Sequence, residues 1–175
     1  KSIQYGLYEI EEVQDESWAR PKNTIILADK LAEETMAKSR VTKYKKIREL
    51  RFEDLNENIL SHPFSNLDGA ETFWNYTVPL VEADHVTDEV GTGFVHIAPS
   101  HGAEDFEVFL KRGWLSRMTN NVEDDSSFAS FVPFFKGLQI FNKKGNEGEG
   151  NRAVIQKLIE ANKLIARGVL EHSYP

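Results

Sequence analysis

The chain has 175 residues, 40% of them hydrophobic, which is enough for one compact domain with its own core. It contains no cysteine, which excludes disulfides, thiolate metal sites and cysteine nucleophiles and is typical of a cytoplasmic protein. The formal net charge of −7 means that any surface for nucleic acid would have to be local, because phosphates require positive potential. No apolar run approaches the roughly 18 residues that a membrane span needs, so no membrane partner is expected.

Alternating apolar side chains in the first part of the chain predict a strand over residues 3–13 and a short strand over 23–27. A helix is predicted at 28–39, because Leu31, Thr35 and Met36 share one face and acidic residues occupy its first turn.

Basic side chains concentrate between residues 38 and 51 of this otherwise acidic chain. One interpretation is a binding track for a nucleic-acid backbone, formed by Lys43, Lys45, Lys46 and Arg48. The other is a solvated helix end and strand face, which is the more common origin of a charge run. The sequence leaves both interpretations open.

A turn is predicted at His62-Pro63, with His62 as a loop residue rather than a ligand. Tyr76, Val78 and Leu80 then alternate as a strand, and the intervening proline places that strand at a sheet edge or bulge.

Residues 91–105 hold the greatest concentration of chemically special side chains. Glycines on both sides of Thr92 allow a tight turn or a close backbone approach. Residues 94–97 predict a brief strand, and a helix of about three turns is expected between Gly102 and Gly113. His96, His101, Glu104 and Asp105 would then gather at a strand-to-helix corner.

Five phenylalanines between residues 128 and 141 predict hydrophobic core rather than a platform for stacking nucleobases. A mobile loop is expected at 145–150. A helix is then predicted from a cap at Asn151 to an end near Gly168. Its apolar stripe consists of Val154, Ile155, Leu158, Ile159 and Ile165.

The stretch 91–105 resembles the editing-domain signature of isoleucyl-tRNA synthetases, in the insertion called connective polypeptide 1. The Gly91-Thr92-Gly93 start and Asp105 are shared with the related valyl and leucyl families, whereas His96 and His101-Gly102 favour the isoleucyl branch. The resemblance continues over most of the chain, through Asp84–Thr87, Asn121–Asp125 and Glu171–Pro175.

The order of short strands and three separated helices favours an α/β or α+β domain, without choosing a barrel over an open sheet. The resemblance implies the editing-domain fold of class Ia synthetases, with a curled, barrel-like sheet flanked by helices. It also implies that residues 1–175 form a single editing domain truncated at its N-terminus, because the family's threonine-rich strand would lie just upstream of Lys1.

The activity implied by the resemblance is hydrolysis of the ester of valine mischarged onto tRNA(Ile), by attack of a positioned water. Isoleucyl-tRNA synthetases themselves exemplify the limit behind this reaction, since one methylene contributes only about 1–3 kcal/mol of discrimination. The implied partners are the tRNA acceptor end, the valine moiety and the remainder of the synthetase. No metal or cofactor is expected for editing, and ATP and magnesium belong to the aminoacylation site outside this chain.

Asp105 matches, residue for residue, the family carboxylate that pairs with the α-ammonium group of the substrate. His96 matches the histidine that excludes isoleucine by bulk, although a structural role or a general base is also possible for it. Gly91, Thr92, Gly93 and His101 complete the predicted substrate-binding set. From its residue type and position alone, Asp105 could simply complement the dipole of the helix that it begins.

Two other functions remain open at this level. Without the threonine-rich wall, the chain could be a binding module for the tRNA end that is inactive as an isolated fragment. The spacing of His96, His101 and Asp105 also admits a metal-dependent hydrolase, although that spacing alone does not direct the three side chains to one point.

Overall fold

The computed structural model describes residues 3–55, 59–70 and 73–168. The C-terminal part of the resemblance, at 171–175, lies outside these residues. The described residues divide into two compact units. Unit 1 contains residues 3–55, 86–94 and 164–168, and unit 2 contains 59–85 and 95–163 with the gap at 71–72. That residues 1–175 form a single editing domain stays a prediction.

Unit 1 is built on an antiparallel three-stranded sheet in the order β2-β1-β3. The central strand β1 (Tyr5–Val13) pairs with β2 (Thr24–Ala28) on one side and with β3 (Val41–Leu50) on the other. Between β2 and β3, a 3-10 turn (Asp29–Leu31) leads into helix α1 (Ala32–Lys38), and the short α2 (Phe52–Leu55) follows β3. The two strands and the helix predicted before residue 40 are confirmed.

The core of unit 1 forms where α1 covers the sheet. Ile10, Leu27 and Met36 are each at most 2% exposed there, and Ile165 packs against them. Because strand side chains alternate in direction, burying Tyr8 and Ile10 on this face leaves Glu9 and Glu11 on the other.

Unit 2 contains less regular structure. Strands β4 (Ile59–Ser61) and β5 (Thr77–Pro79) form an antiparallel pair. Helix α3 (Ala103–Lys111), a 3-10 turn (Leu115–Arg117) and helix α4 (Glu149–Glu160) follow. The strand predicted around Val78 is confirmed, with its proline on a two-stranded pair where each strand is an edge.

Aromatic side chains fill the core of unit 2. Phe64, Trp74, Val132 and Phe135 are buried there. Of the five clustered phenylalanines, three join this core (Phe128, Phe134 and Phe135), as predicted. Phe131 and Phe141 are 50% and 52% exposed, so the core prediction is wrong for these two.

Two predicted elements differ from the structure. Residues 94–97 form no strand and pair with neither described sheet, although Phe94 lies against Tyr5 of β1. Helix α4 begins after Gly148 rather than after Asn151, so the loop predicted at 145–150 is wrong for residues 149 and 150. The helix ends at Glu160 rather than near Gly168. Ile165 therefore does not belong to the helix, although its spacing continues the helical stripe.

The fold is mixed α/β with antiparallel sheets, which confirms the predicted class. The curled barrel and the editing-domain fold stay predictions, since the described strands form one three-stranded and one two-stranded sheet. In the described part of the chain, no helix has the length and apolar character that crossing a membrane requires.

Candidate functional site

The Gly91-Thr92-Gly93 turn is fixed by hydrogen bonds within unit 1. The hydroxyl of Thr35 donates to the carbonyl of Gly91 at 2.8 Å, and the backbone N–H of Ala28 donates to the carbonyl of Thr92 at 2.9 Å. The carbonyl of the second glycine accepts from the hydroxyl of Tyr5 at 2.7 Å. All three carbonyls of the turn are therefore tied to neighbouring elements.

Both glycines of this turn have left-handed backbone angles, with φ of +79° at Gly91 and +82° at Gly93. A Cβ on Gly93 would lie 2.5 Å from the Cβ of Ala28, whereas a Cβ on Gly91 would meet nothing within 4 Å. The tight turn and the close approach that the sequence predicted are both confirmed here. The hydroxyl of Thr92 faces its own turn and accepts from the N–H of Phe94 at 3.3 Å.

Asp105 occupies the first turn of α3 in unit 2, and its side chain is 17% exposed. One carboxylate oxygen, Oδ2, accepts the backbone N–H of Ala98 at 2.9 Å. The other, Oδ1, lies 3.3 Å from Nε2 of His85. That nitrogen is buried and makes no hydrogen bond among the described residues, although it lies near the carboxylate.

This arrangement leaves Asp105 able to bind a further donor. A carboxylate has about four acceptor positions, and the two neighbours use at most two of them. The carboxylate also lies in the first turn of α3, at the positive end of the helix dipole. A primary ammonium group would form a charge-assisted hydrogen bond with the remaining lone pairs.

His85 was not singled out as a site residue from the sequence. It lies 20 positions before Asp105, and a pair so far apart leaves no local spacing pattern. The one available signal was its place in Asp84–Thr87, which carries part of the family resemblance.

His96 is exposed and lies close enough to His62 for the two charges to interact. Burial, with a smaller contribution from His96, lowers the pKa of His62 from 6.5 to about 4. The His62 ring stacks on Trp74 with 4.4 Å between centroids, and its Nδ1 accepts the backbone N–H of Phe64 at 3.2 Å. His62 is therefore neutral near pH 7, with its proton on Nε2. The sequence assigned it to a loop and missed this aromatic environment.

His101 is exposed and borders a shallow open depression with Pro99, Phe106 and Leu110. The hydroxyl of Ser100 donates to the carbonyl of Thr119 at 3.0 Å, and this hydrogen bond gives the serine a structural role.

In the described part of the chain, no hydrogen bond or ion pair joins His96, His101 and Asp105 to one another. No group of three potential metal-binding side chains comes together in the same residues, so this trio forms no ligand set there. The metal-dependent alternative therefore receives no geometric support from the described residues.

The predicted nucleic-acid track on β3 is largely neutralised by neighbouring carboxylates. Lys43 pairs with Glu11 and Glu12, and Lys45 pairs with Glu9 and Glu11. These pairs raise the pKa of both lysines, mainly through hydrogen bonds to Glu11 and Glu9 respectively.

Lys46 is likewise paired, with Asp29 at 2.8 Å and Glu49 at 3.5 Å. Arg48 has no ion-pair partner among the described residues. This geometry favours the second interpretation of the charge run, a solvated strand face.

Comparison with known proteins shows what the chain is similar to. No family model matches it. It is 42% identical over 180 residues to a protein of Bradyrhizobium diazoefficiens, covering 99% of this chain and 18% of that protein. It is 43% identical over 178 residues to a protein of Ruegeria pomeroyi, covering 100% of this chain and 18% of that protein. It is 39% identical over 181 residues to a protein of Caulobacter vibrioides, covering 99% of this chain and 18% of that protein. The chain is thus homologous, along essentially its whole length, to one segment of an aminoacyl-tRNA synthetase.

The particular synthetase is the isoleucine–tRNA ligase, which is the name of all three relatives. The resemblance predicted from residues 91–105 is confirmed at this level. The chain spans 18% of the length of these curated relatives.

Proposed function

We propose that this chain is the editing segment of an isoleucine–tRNA ligase and hydrolyses the ester of valine mischarged onto tRNA(Ile). The observation that carries the proposal is the carboxylate of Asp105, which is largely buried, held at one oxygen and still able to accept. The editing-domain fold, with a curled sheet over residues 1–175, is part of the same proposal.

The reaction needs an anchor for the α-ammonium group of the esterified amino acid. Asp105 supplies a fixed negative charge, because the N–H of Ala98 holds Oδ2 while the rest of the carboxylate stays available. An anchored ammonium fixes the ester carbonyl relative to the protein, so that a positioned water attacks it from one direction. The ester bond breaks, and free valine leaves the ribose of the tRNA.

Selection against isoleucine is assigned to His96, whose imidazole would limit the room for the substrate side chain. His101, in the same unit as Asp105, is proposed to bind the rest of the aminoacyl group. Substrate binding by the Gly91–Gly93 turn stays a prediction. The partners are the acceptor end of tRNA(Ile) and the remainder of the ligase, in the cytoplasm. Editing uses no cofactor, and ATP with magnesium serves the aminoacylation site outside this chain.

The test replaces Asp105 by asparagine in the full-length ligase. Asparagine keeps an oxygen that can accept the N–H of Ala98 but removes the charge that would bind an ammonium. We expect Val-tRNA(Ile) deacylation to slow by roughly 100-fold or more, corresponding to about 2.7 kcal/mol or more of transition-state stabilisation. Aminoacylation with isoleucine should stay unchanged.

The matched control is Glu104→Ala, in the same first turn of α3. It removes an exposed carboxylate that complements the same helix end and should leave deacylation intact. Wild-type deacylation rates in Asp105→Asn would contradict the proposal. A wild-type ligase that binds tRNA(Ile) through this segment but deacylates nothing would instead establish the alternative, a binding module. Loss of deacylation on adding a chelator would favour the metal-dependent alternative.

A further inference from the structure

Trp114 lies between two arginines just after α3. The guanidinium carbons of Arg112 and Arg117 are 5.2 and 5.1 Å from the centroid of its ring. The tryptophan also packs edge-on against Phe109, with 5.8 Å between centroids and an interplanar angle of 85°. We call Arg112, Trp114 and Arg117 the arginine–tryptophan cluster.

The backbone holds this cluster in place. The N–H of Trp114 donates to the carbonyl of Phe109 at 3.0 Å, and the N–H of Arg117 donates to the carbonyl of Trp114 at 2.8 Å. Gly113, between Arg112 and Trp114, has φ of +69°, which turns the chain sharply at the end of α3. Both arginines are thus fixed at their backbones and held at their side chains by cation–π contact.

The two arginines carry charge that the chain does not neutralise. Neither has an acidic partner within 4 Å among the described residues, whereas the adjacent Lys111 is paired with Glu107 at 3.6 Å. Lys43, by contrast, has two carboxylate partners. The positive charge of these two arginines is therefore available to an anionic partner or to solvent.

A role in the helix alone explains only one of the two arginines. Arg112 directly follows the last residue of α3 and complements the negative end of the helix dipole. Arg117 lies in the following 3-10 turn, beyond that end, and still contacts the same ring. Two guanidinium groups held next to one another by the same aromatic ring suit a polyanion that carries regularly spaced phosphates.

We propose that the arginine–tryptophan cluster binds the phosphate backbone of RNA. Each guanidinium offers N–H donors in a planar fork that matches two phosphate oxygens, and contact with the ring leaves those edges free. Taking tRNA as this RNA rests on the proposed function. The assignment moves the RNA contact from Lys43, Lys45 and Lys46 of β3 to this cluster.

The experiment measures the affinity of the full-length ligase for tRNA(Ile) by filter binding over a series of KCl concentrations. We expect Arg112→Ala/Arg117→Ala to weaken binding at every concentration. The slope of log K against log[salt] should become less steep by about 1.4–1.8, because each lost phosphate contact removes about 0.7–0.9. Trp114→Ala should weaken binding as well, and Arg112→Lys/Arg117→Lys should retain most of the slope.

The matched control is Lys43→Ala/Lys45→Ala, which also removes two exposed positive charges. It should leave affinity and slope near wild type, because these lysines are already neutralised. Equal losses in both double variants, or an unchanged slope in the arginine variant, would overturn the proposal. Unchanged RNA affinity together with a lower free energy of unfolding of the full-length ligase would overturn it too, because it would show that the cluster packs against protein.

Asp105→Asn separates the two proposals, since it should slow deacylation by roughly 100-fold or more, whereas the arginine variant should weaken RNA binding. If the ligase fails to deacylate Val-tRNA(Ile), its affinity for tRNA(Ile) therefore still tests the role of the cluster.

Discussion

The two glycines of the Gly91-Thr92-Gly93 turn have similar backbone angles but very different surroundings, which makes them a matched pair. At Gly91 the only cost of a side chain is the left-handed backbone, and Gly91→Ala should lower the free energy of unfolding by about 1 kcal/mol. Gly93→Ala adds a clash with Ala28 and should cost roughly 2–4 kcal/mol. Urea denaturation of both variants measures the difference, and equal losses would show that Ala28 moves aside at no cost.

Asp105 combines two tasks, because the group that would anchor a substrate also ties Ala98 to the start of α3. Replacing it by alanine would remove both and could not tell them apart. The carboxylate itself was predictable, since the motif places it after Gly102 at the start of a helix. Its neighbour His85 was not, because nothing local in the sequence shows which residue packs against it.

At the scale of elements, the end of α4 depends on a left-handed residue. Asn162 has φ of 54°, its N–H donates to the carbonyl of Ile159 at 2.9 Å, and the N–H of Lys163 donates to the carbonyl of Leu158 at 2.8 Å. These two bonds form a Schellman motif, in which glycine is the preferred left-handed residue and asparagine the next best. The helix ends here even though Ile165 continues its apolar spacing.

Two substitutions at Asn162 test this reading of the helix end. Asn162→Gly should raise the free energy of unfolding by about 0.5 kcal/mol, and Asn162→Val should lower it by about 1–2 kcal/mol, since a β-branched residue resists the left-handed region. Denaturant midpoints with unchanged m-values give both quantities. A stabilised valine variant would show that the turn does not require a positive φ.

Helices and strands with a full periodic pattern were predictable, and isolated segments were not. Strands β1 and β2 and helices α1 and α3 follow the spacing of their buried or facing side chains. Residues 94–97 have strand-forming side chains, but a strand also needs a partner, which local sequence does not specify. Strand prediction from local sequence is therefore limited because that sequence does not identify the pairing partner.

At the scale of the whole molecule, each core is assembled from segments far apart in the sequence. Unit 1 draws on residues 3–55, 86–94 and 164–168, and its core includes Ile165. Contacts over such separations leave no local periodicity, so the sequence predicted the class of fold without this division. The residues of the 91–105 stretch are divided between the two units, with Gly91–Gly93 in unit 1 and His96, His101 and Asp105 in unit 2.

The stability of the folded molecule should fall in mild acid, and His62 is the group that sets the window. Its pKa is lowered from 6.5 to about 4, first by burial and then by His96. As the pH falls below about 6.5 the unfolded chain takes up a proton at His62, and the folded chain does so only near pH 4. The stability that neutral His62 provides is therefore present above pH 6.5 and lost as the pH falls toward 4.

His62→Asn is the matching non-titrating variant, because the oxygen of the new side chain can still accept the N–H of Phe64. His62→Asn should be less stable at pH 7.5, since it loses the stack on Trp74, but its stability should change less between pH 7.5 and 4.5. The two stability changes should differ by about 1–2 kcal/mol, which is less than the full pKa change implies because the ring is partly exposed. Carboxylates with lowered pKa values, such as Asp29, titrate alike in both proteins and cancel in the comparison. Urea titrations at a series of pH values measure both slopes, and parallel curves would show that His62 is protonated in the folded protein as readily as in the unfolded chain.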